Sequence, residues 1–413
     1  MTPKSNDCSR REFFKVTGAA GVGVLLGPLA ANARSEEKGS ALLAAAGQSR
    51  VPTRPFGKTG TRVSTLALGG MFDIGANQIM LRQALNWGVT YWDTADCYGN
   101  GESETGFGKY FAKYPEDREK VFLVTKSDAR DPEGMSRLLA RSLQRLNTPY
   151  INLYFIHGVK SMDELNDDTR RWVEKAKVDG KIKLFGFSTH KNMEELLTRA
   201  AALGYIDGIM LSYNFRIMHT QAMKNAVDAC VQAGIGLTAM KTQGGRSWLK
   251  SDPADKVATE LMESFIQKGL TEQQAKLKAV WTNPNIASIC SQMPDMTLLK
   301  ANVAAAADTT LLTSREMLLF EQYALETADQ YCAGCGHICE TAVNGCVPIG
   351  DIMRYHMYEK SYGRLDWART YFRDLGAEVH QSMAQIDFSA AEQCCPQKMP
   401  IASLMKRALM DFA

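Results

Sequence analysis

Tyr91-Trp92-Asp93-Thr94-Ala95-Asp96-Cys97-Tyr98-Gly99 reads as an apolar strand that ends in a carboxylate, with a tyrosine in the glycine-containing loop beyond it. Two later stretches repeat the design. Val121-Phe122-Leu123-Val124-Thr125 ends in Lys126, and Ile151-Asn152-Leu153-Tyr154-Phe155-Ile156 ends in His157. In a parallel α/β barrel the carboxyl ends of all strands meet on one face. Asp93, Tyr98, Lys126 and His157 therefore converge there. An ammonium buried beside a phenol lowers the phenol's pKa, which equips Tyr98 to give or take a proton near neutral pH.

Outward from this stretch, short apolar runs alternate with amphipathic segments. They predict strands near 66–69, 89–93, 121–125, 151–156, 182–187, 207–211, 235–240 and 286–290. Helices fall between them, among them 77–87, 134–146, 161–178, 191–202 and 219–232. Eight strand–helix pairs without a long internal repeat make an α/β (β/α)8 TIM barrel, expected over 51–310. The 413 residues leave room for an appendage. At 45% apolar and 23% charged the chain is globular, and a net charge of +3 with dispersed aromatics argues against nucleic acid. No apolar run in the body of the chain reaches membrane-spanning length.

The segment from Asp93 to Glu104 resembles the second-strand signature of the aldo-keto reductases, and the resemblance extends over roughly 54–310. It implies that Asp93, Tyr98, Lys126 and His157 are the catalytic tetrad and that NADP or NAD lies across the barrel mouth. Arg54 to Ser64 is similar to the hairpin that plugs the barrel's bottom, with Gly57 and Gly60 at its turn. Gly70 and Met71 follow the first strand, where the glycines leave room for a ligand beside the backbone. Ser188 and Thr189 match the segment that holds the nicotinamide carboxamide, Tyr213 closes the sixth strand, and Met240 and Lys241 lead into a cofactor-covering loop. Ser291, Met293 and Asn302 match the adenosine clamp. Two departures stand out. Met210 replaces a glutamine that also holds the carboxamide, and Pro294-Asp295 replaces a basic residue. A carboxylate near a 2′-phosphate is repulsive, so a preference for NADP over NAD is not implied. Met210 and Met293 read as packing residues first, as do Cys97 and Cys290.

At the N-terminus, Ser9-Arg10-Arg11-Glu12-Phe13-Phe14-Lys15, a weakly apolar run to Leu29 and Ala31-Asn32-Ala33 resemble a twin-arginine export signal. The expectation is a signal over 1–33, a linker over 34–50, a periplasmic location and no stable membrane insertion once the signal is cleaved.

Six of the ten cysteines crowd the tail, which points to a metal or disulfide module. A helix is expected from Thr313 to Gln330. Beyond it, Cys332, Cys335, Cys339 and Cys346, then Cys394-Cys395-Pro396, resemble a ferredoxin-like extension found on a subset of aldo-keto reductases. The spacing C-x2-C-x3-C-x6-C is wider than the ferredoxin run, and Ser389-Ala390-Ala391 stands where a second set would begin. Two clusters are excluded on ligand count. One [4Fe–4S] cluster on Cys332, Cys335 and Cys339 remains, with Cys395 or Cys346 as fourth ligand. A zinc site, disulfides and a metal-free relic stay open, with His337 read as a surface residue. The expected partners are a small-molecule carbonyl or alcohol and, if a cluster is held, a redox partner protein. The rival readings are an exported iron–sulfur electron-transfer subunit and a non-catalytic binding scaffold.

Overall fold

The computed structural model describes residues 50–243 and 256–413. The expected export signal, the linker up to residue 49 and the loop beginning at Gly244 lie outside them. A hairpin, β1 (Thr53–Pro55) with β2 (Arg62–Ser64), precedes eight parallel strands. These are β3 (Leu66–Gly69), β4 (Tyr91–Asp93), β5 (Phe122–Ser127), β6 (Ile151–Ile156), β7 (Ile182–Thr189), β8 (Gly208–Ser212), β9 (Gly236–Met240) and β10 (Ile286–Gln292). They close into a barrel in chain order, with β10 returning to β3. Around it run α1 (Gln78–Asn86), α2 (Glu102–Lys113), α3 (Pro132–Arg145), α4 (Asp167–Val178), α5 (Met193–Ala200), α6 (Gln221–Ala233), α7 (Lys256–Lys268), α8 (Glu272–Trp281) and α9 (Met296–Ala307).

Strand alternation explains what faces where. Trp92, Leu123 and Tyr154 point outward into the layer shared with the helices. Tyr91, Phe122, Val124, Leu153 and Phe155 fill the barrel interior. Successive residues of a strand point to opposite sides, so Asp93, Lys126 and His157 continue the inward rows of β4, β5 and β6. The outer layer is dense around Trp92, whose ring stacks on Phe107 and Phe111 at centroid distances of 5.4 and 5.7 Å.

The bottom is stopped by Phe56, which is fully buried. It lies so close under β8 and β9 that a Cβ on Gly208 would stand 2.7 Å from its ring, and one on Gly236 2.5 Å. Glycine at both strand starts therefore makes room for the plug. Arg54 anchors the hairpin by donating to the carbonyls of Trp281, Asn283 and Ile286 at 2.8–2.9 Å. The helix expected over 161–178 is divided. A turn, Met162–Leu165, is closed by a capping box between Ser161 and Glu164. Asn166 then leaves the helical path and caps α4 by accepting from the Thr169 N–H. Such caps satisfy donors that a helix start leaves open.

After the barrel, α10 (Ser314–Glu326) buries Leu319, Phe320 and Tyr323 together with Leu261 and Phe265 of α7. The tail forms α11 (Gly336–Thr341), α12 (Ile349–Tyr362), α13 (Leu365–Arg373), α14 (Ala377–Gln385), α15 (Ser389–Cys394) and α16 (Ile401–Asp411). It has its own core, including Ile352, Phe372, Met405 and Ala408. Its face toward the barrel is polar. Asp351 in the first turn of α12 accepts from Lys160 at 3.1 Å and from Lys191 at 3.2 Å. Three residues on, Arg354 folds back on Asp351 at 2.6 Å. Further along the same face, the rings of Tyr358 and Tyr362 meet the Lys241 ammonium at 5.1 and 5.0 Å. Positions 351, 354, 358 and 362 share one side of a helix. Thus α12 is laid over the barrel mouth, from the loops after β6 and β7 to the end of β9. Among the described residues no helix is long and apolar enough to cross a membrane.

Candidate active site

The four strand-end residues meet. Lys126, buried in the barrel mouth, donates to Asp93 Oδ2 at 2.7 Å, to the Thr94 carbonyl at 2.8 Å and to the Tyr98 hydroxyl at 3.4 Å. The Tyr98 ring stands edge-on to His157 with centroids 5.8 Å apart. Register accounts for this. Asp93 lies opposite Val124, so Lys126 stands one inward step higher on the neighbouring strand. Phe155 lies opposite Lys126, and His157 is one inward step above that.

The loop that carries Tyr98 is fixed from outside. Asp96 takes a two-pronged contact from Arg141 at 2.8 and 2.6 Å and a third bond from Arg145 at 3.0 Å. Buried Glu104 accepts from Thr125 at 2.6 Å and from Arg145. Gly99, Asn100 and Gly101 turn the chain through positive φ values of 56°, 53° and 93°, which favours glycine and asparagine there.

Burial pushes the Tyr98 phenol well above its ordinary pKa, and Lys126 draws it back only in part. The expected lowering is therefore corrected. The charge of Lys126 is already committed to the closer carboxylate of Asp93, and an enclosed phenolate has little else to stabilise it. Tyr98 holds its proton, as a donor must. Burial is the largest single influence on Lys126 and opposes its charge, but Asp93, Tyr98 and Cys290 together outweigh it, so the ammonium stays protonated.

The expected cofactor positions divide. Ser188 is buried and accepts from the Gly158 N–H at 3.0 Å, which leaves its own proton to give. Thr189 is committed to the loop, bonding the carbonyls of Val159 and Lys191 at 2.8 Å each. Met210 lies within the barrel interior cluster. Met240 packs on the edge of that cluster. Met293 and Tyr213 turn the other way, into the layer outside the barrel, where the Tyr213 hydroxyl accepts from Asn283 at 2.9 Å. Their place in the alternation points them outward. The space at Gly70 is taken up by the barrel itself, since a Cβ there would stand 2.8 Å from the Asp93 carbonyl and from Phe107. The Met71 carbonyl accepts from Gln292 at 2.6 Å.

Ser291 and Asn302 come together around Gln243, which the sequence did not single out. Ser291 Oγ is 2.6 Å from Gln243 Oε1, Gln243 donates to Asn302 at 3.0 Å, and Asn302 donates to Ser291 at 3.1 Å. Asp295 has a local reason to be acidic, because it caps α9 by accepting from the Leu298 N–H at 2.8 Å. Lys241 sits in the left-handed region at φ 60°. Burial, with Arg354 second, pulls its ammonium down to about 7. His190, two steps above Gly186 on the inward row of β7, was also missed and bonds Ser212 at 2.8 Å.

In the tail, Cys332, Cys335, Cys339 and Cys395 line one small cavity, walled otherwise mainly by Ile338, Ile349, Met353, Pro396, Met399 and Ile401. Cys346 is exposed and its thiol turns to the Asn344 carbonyl. Among the described residues no three of these sulfurs lie within 4.8 Å of one another. A tetrahedral zinc with bonds of about 2.3 Å needs sulfurs about 3.8 Å apart. The cavity is thus wider than a bare zinc site, and its donors are the soft thiols that iron–sulfur clusters take. Its loop abuts the barrel, where the Gly334 carbonyl accepts from the Asn192 N–H at 2.8 Å.

The profile of the Aldo/keto reductase family matches residues 67–293. The chain is 29% identical over 274 residues to an uncharacterized oxidoreductase, YrpG, of Bacillus subtilis, covering 56% of this chain and 82% of that protein. It is 30% identical over 183 residues to an aldo-keto reductase of Schizosaccharomyces pombe whose name carries NADP(+), covering 41% of this chain and about half (51%) of that relative. The structure of an aldo-keto reductase from Bacillus halodurans in its holo form superposes with a TM-score of 0.57 at 22% identity, over 67% of this chain and 96% of that one. That likeness carries the fold.

Proposed function

The chain belongs to the aldo/keto reductase family of oxidoreductases, and on that premise we propose that it interconverts a carbonyl compound and an alcohol by hydride transfer, with NADP or NAD as carrier. The supporting observation is the Lys126 ammonium standing between Asp93 at 2.7 Å and the Tyr98 hydroxyl at 3.4 Å, with His157 facing the same ring. A bound dihydronicotinamide supplies the hydride. Tyr98 gives its proton to the oxygen on which charge develops, and Lys126 stabilises the phenolate left behind. Asp93 keeps Lys126 charged and in place. His157 orients the carbonyl oxygen, and Ser188 offers a hydroxyl proton to the carrier's carboxamide.

Tyr98→Phe is expected to leave nucleotide binding intact while turnover falls by about 100- to 10,000-fold. Unchanged turnover would remove Tyr98 from this role. Comparing NADH with NADPH assigns the carrier; Asp295, near the expected adenosine end, favours the carrier without a 2′-phosphate.

The tail supports an additional electron-transfer role. The thiols of Cys332, Cys335, Cys339 and Cys395 surround a single apolar cavity, a donor set suited to one [4Fe–4S] cluster. Such a cluster supplies one-electron transfer to a partner protein. The paired Arg10-Arg11 with Phe13 and Lys15 supports export to the periplasm, which cell fractionation tests.

A further inference from the structure

Beside the tetrad stands a second set of donors that the hydride chemistry does not use as a set. Cys97, Asp128 and His157 follow β4, β5 and β6 on one face of the barrel. Cys97 Sγ lies 3.6 Å from His157 Nδ1. That same nitrogen lies 3.2 Å from Asp128 Oδ1. All three donor atoms fall within 4.8 Å of one another.

These separations can be compared with a coordination shell. Tetrahedral zinc with bonds of about 2.3 Å to sulfur and about 2.1 Å to nitrogen and oxygen places sulfur and nitrogen about 3.6 Å apart, and nitrogen and oxygen about 3.4 Å apart. Both separations, 3.6 and 3.2 Å, agree with the edges of such a shell to about 0.2 Å. The donor types agree as well. A thiolate, an imidazole and a carboxylate form a mixed set suited to a borderline divalent ion, with the fourth position open. The backbone at the centre is held, because His157 donates its N–H to the Ser127 carbonyl at 2.9 Å and Arg130 donates to the His157 carbonyl at 2.7 Å. Cys97 and Asp128 are exposed, so an ion reaches them from solvent.

We propose that Cys97, Asp128 and His157 bind one divalent cation of the zinc class, at a site separate from the cysteine cavity of the tail. Binding exchanges the Cys97 S–H proton for the metal, and the proton goes to solvent. It also sets a tautomer. With the metal on Nδ1, the Nε2 of His157 keeps its proton and is a donor. Without it, Nδ1 is occupied with Asp128 and Cys97. The proposal holds whether or not the hydride reading does, because its test reads metal and thiol and not turnover.

The full chain is alkylated with iodoacetamide with and without zinc chloride, and the labelling rate of the Cys97 peptide is read by mass spectrometry. Zinc is expected to slow that labelling at least about tenfold in the wild type, and Asp128→Asn to weaken the protection by more than about tenfold. In parallel, Co2+ titration should show one fewer thiolate-bound equivalent in Cys97→Ser than in the wild type, the tail cysteines contributing equally to both. Unprotected Cys97 in the folded wild type, or equal cobalt equivalents in the two proteins, overturns the site.

Discussion

Lys241 carries the charge least at ease in the barrel mouth. Its ammonium is pulled down to about 7 by burial first and by Arg354 second. An unfolded lysine titrates near 10.4. Between those values the unfolded chain holds a proton that the folded chain has shed, so this residue makes stability rise with pH from about 7 to about 10. Lys241→Met removes the effect. In urea titrations the wild type should gain on the variant as pH is raised through that window, and a constant difference would contradict the assignment. Lys126 is the opposite case, because Asp93 holds its proton. Lys126→Met strands a carboxylate that is 2% exposed, and should destabilise the fold by about 3–5 kcal/mol while abolishing turnover. At this scale the sequence was informative where alternation applied. Asp93, Lys126 and His157 continue inward rows that composition already made plain. The outward turn of Tyr213 was not legible, because its segment is apolar on both sides, which leaves orientation undetermined. Asp128 and Gln243 act through partners far along the chain, and no local pattern announces them.

Among the elements, β7 and the loop that follows it serve two structures at once. The strand presents Ser188, and the loop presents Lys191, which is 6% exposed and reaches Glu340 at 2.8 Å and Asp351 at 3.2 Å. Lys191→Met takes the cation from Glu340 and leaves Asp351 with Lys160 and Arg354 alone. It should weaken the docking of α11 and α12 by about 1–3 kcal/mol. Hydrogen exchange would then accelerate in 336–362 while the strands of the barrel remain protected; equal acceleration in both would mean that the tail is not a separable unit. The plug at the other end is held by shape. Phe56→Ala would open a cavity under Gly208 and Gly236 and destabilise the barrel by about 3–5 kcal/mol, measurable by thermal unfolding. The strands and the hairpin were readable from sequence to within a few residues, because period and turn residues are local signals. The break at Asn166 was not, since a cap and a helical asparagine look alike until the chain direction is known.

For the molecule as a whole, the folding of the tail separates two cysteines that the sequence held equal. Sequence left Cys346 and Cys395 as rivals, because both follow the first three at plausible distances. Folding brings α15 back against α11, and Cys395 joins the cavity while Cys346 turns to solvent. Cys395→Ser should therefore lose iron, whereas Cys346→Ser should keep about four irons per chain on anaerobic purification. The reverse outcome would reassign the fourth ligand. The strap formed by α12 also bears on traffic. Asp351 clasps Lys160 and Lys191 at one end, and Tyr358 and Tyr362 lie across Lys241 at the other. A guest seated beneath departs faster when that clasp slackens, and dissolved ions weaken the more exposed half of it, at Lys160. Brine should thus shorten the guest's stay more than it slows its arrival.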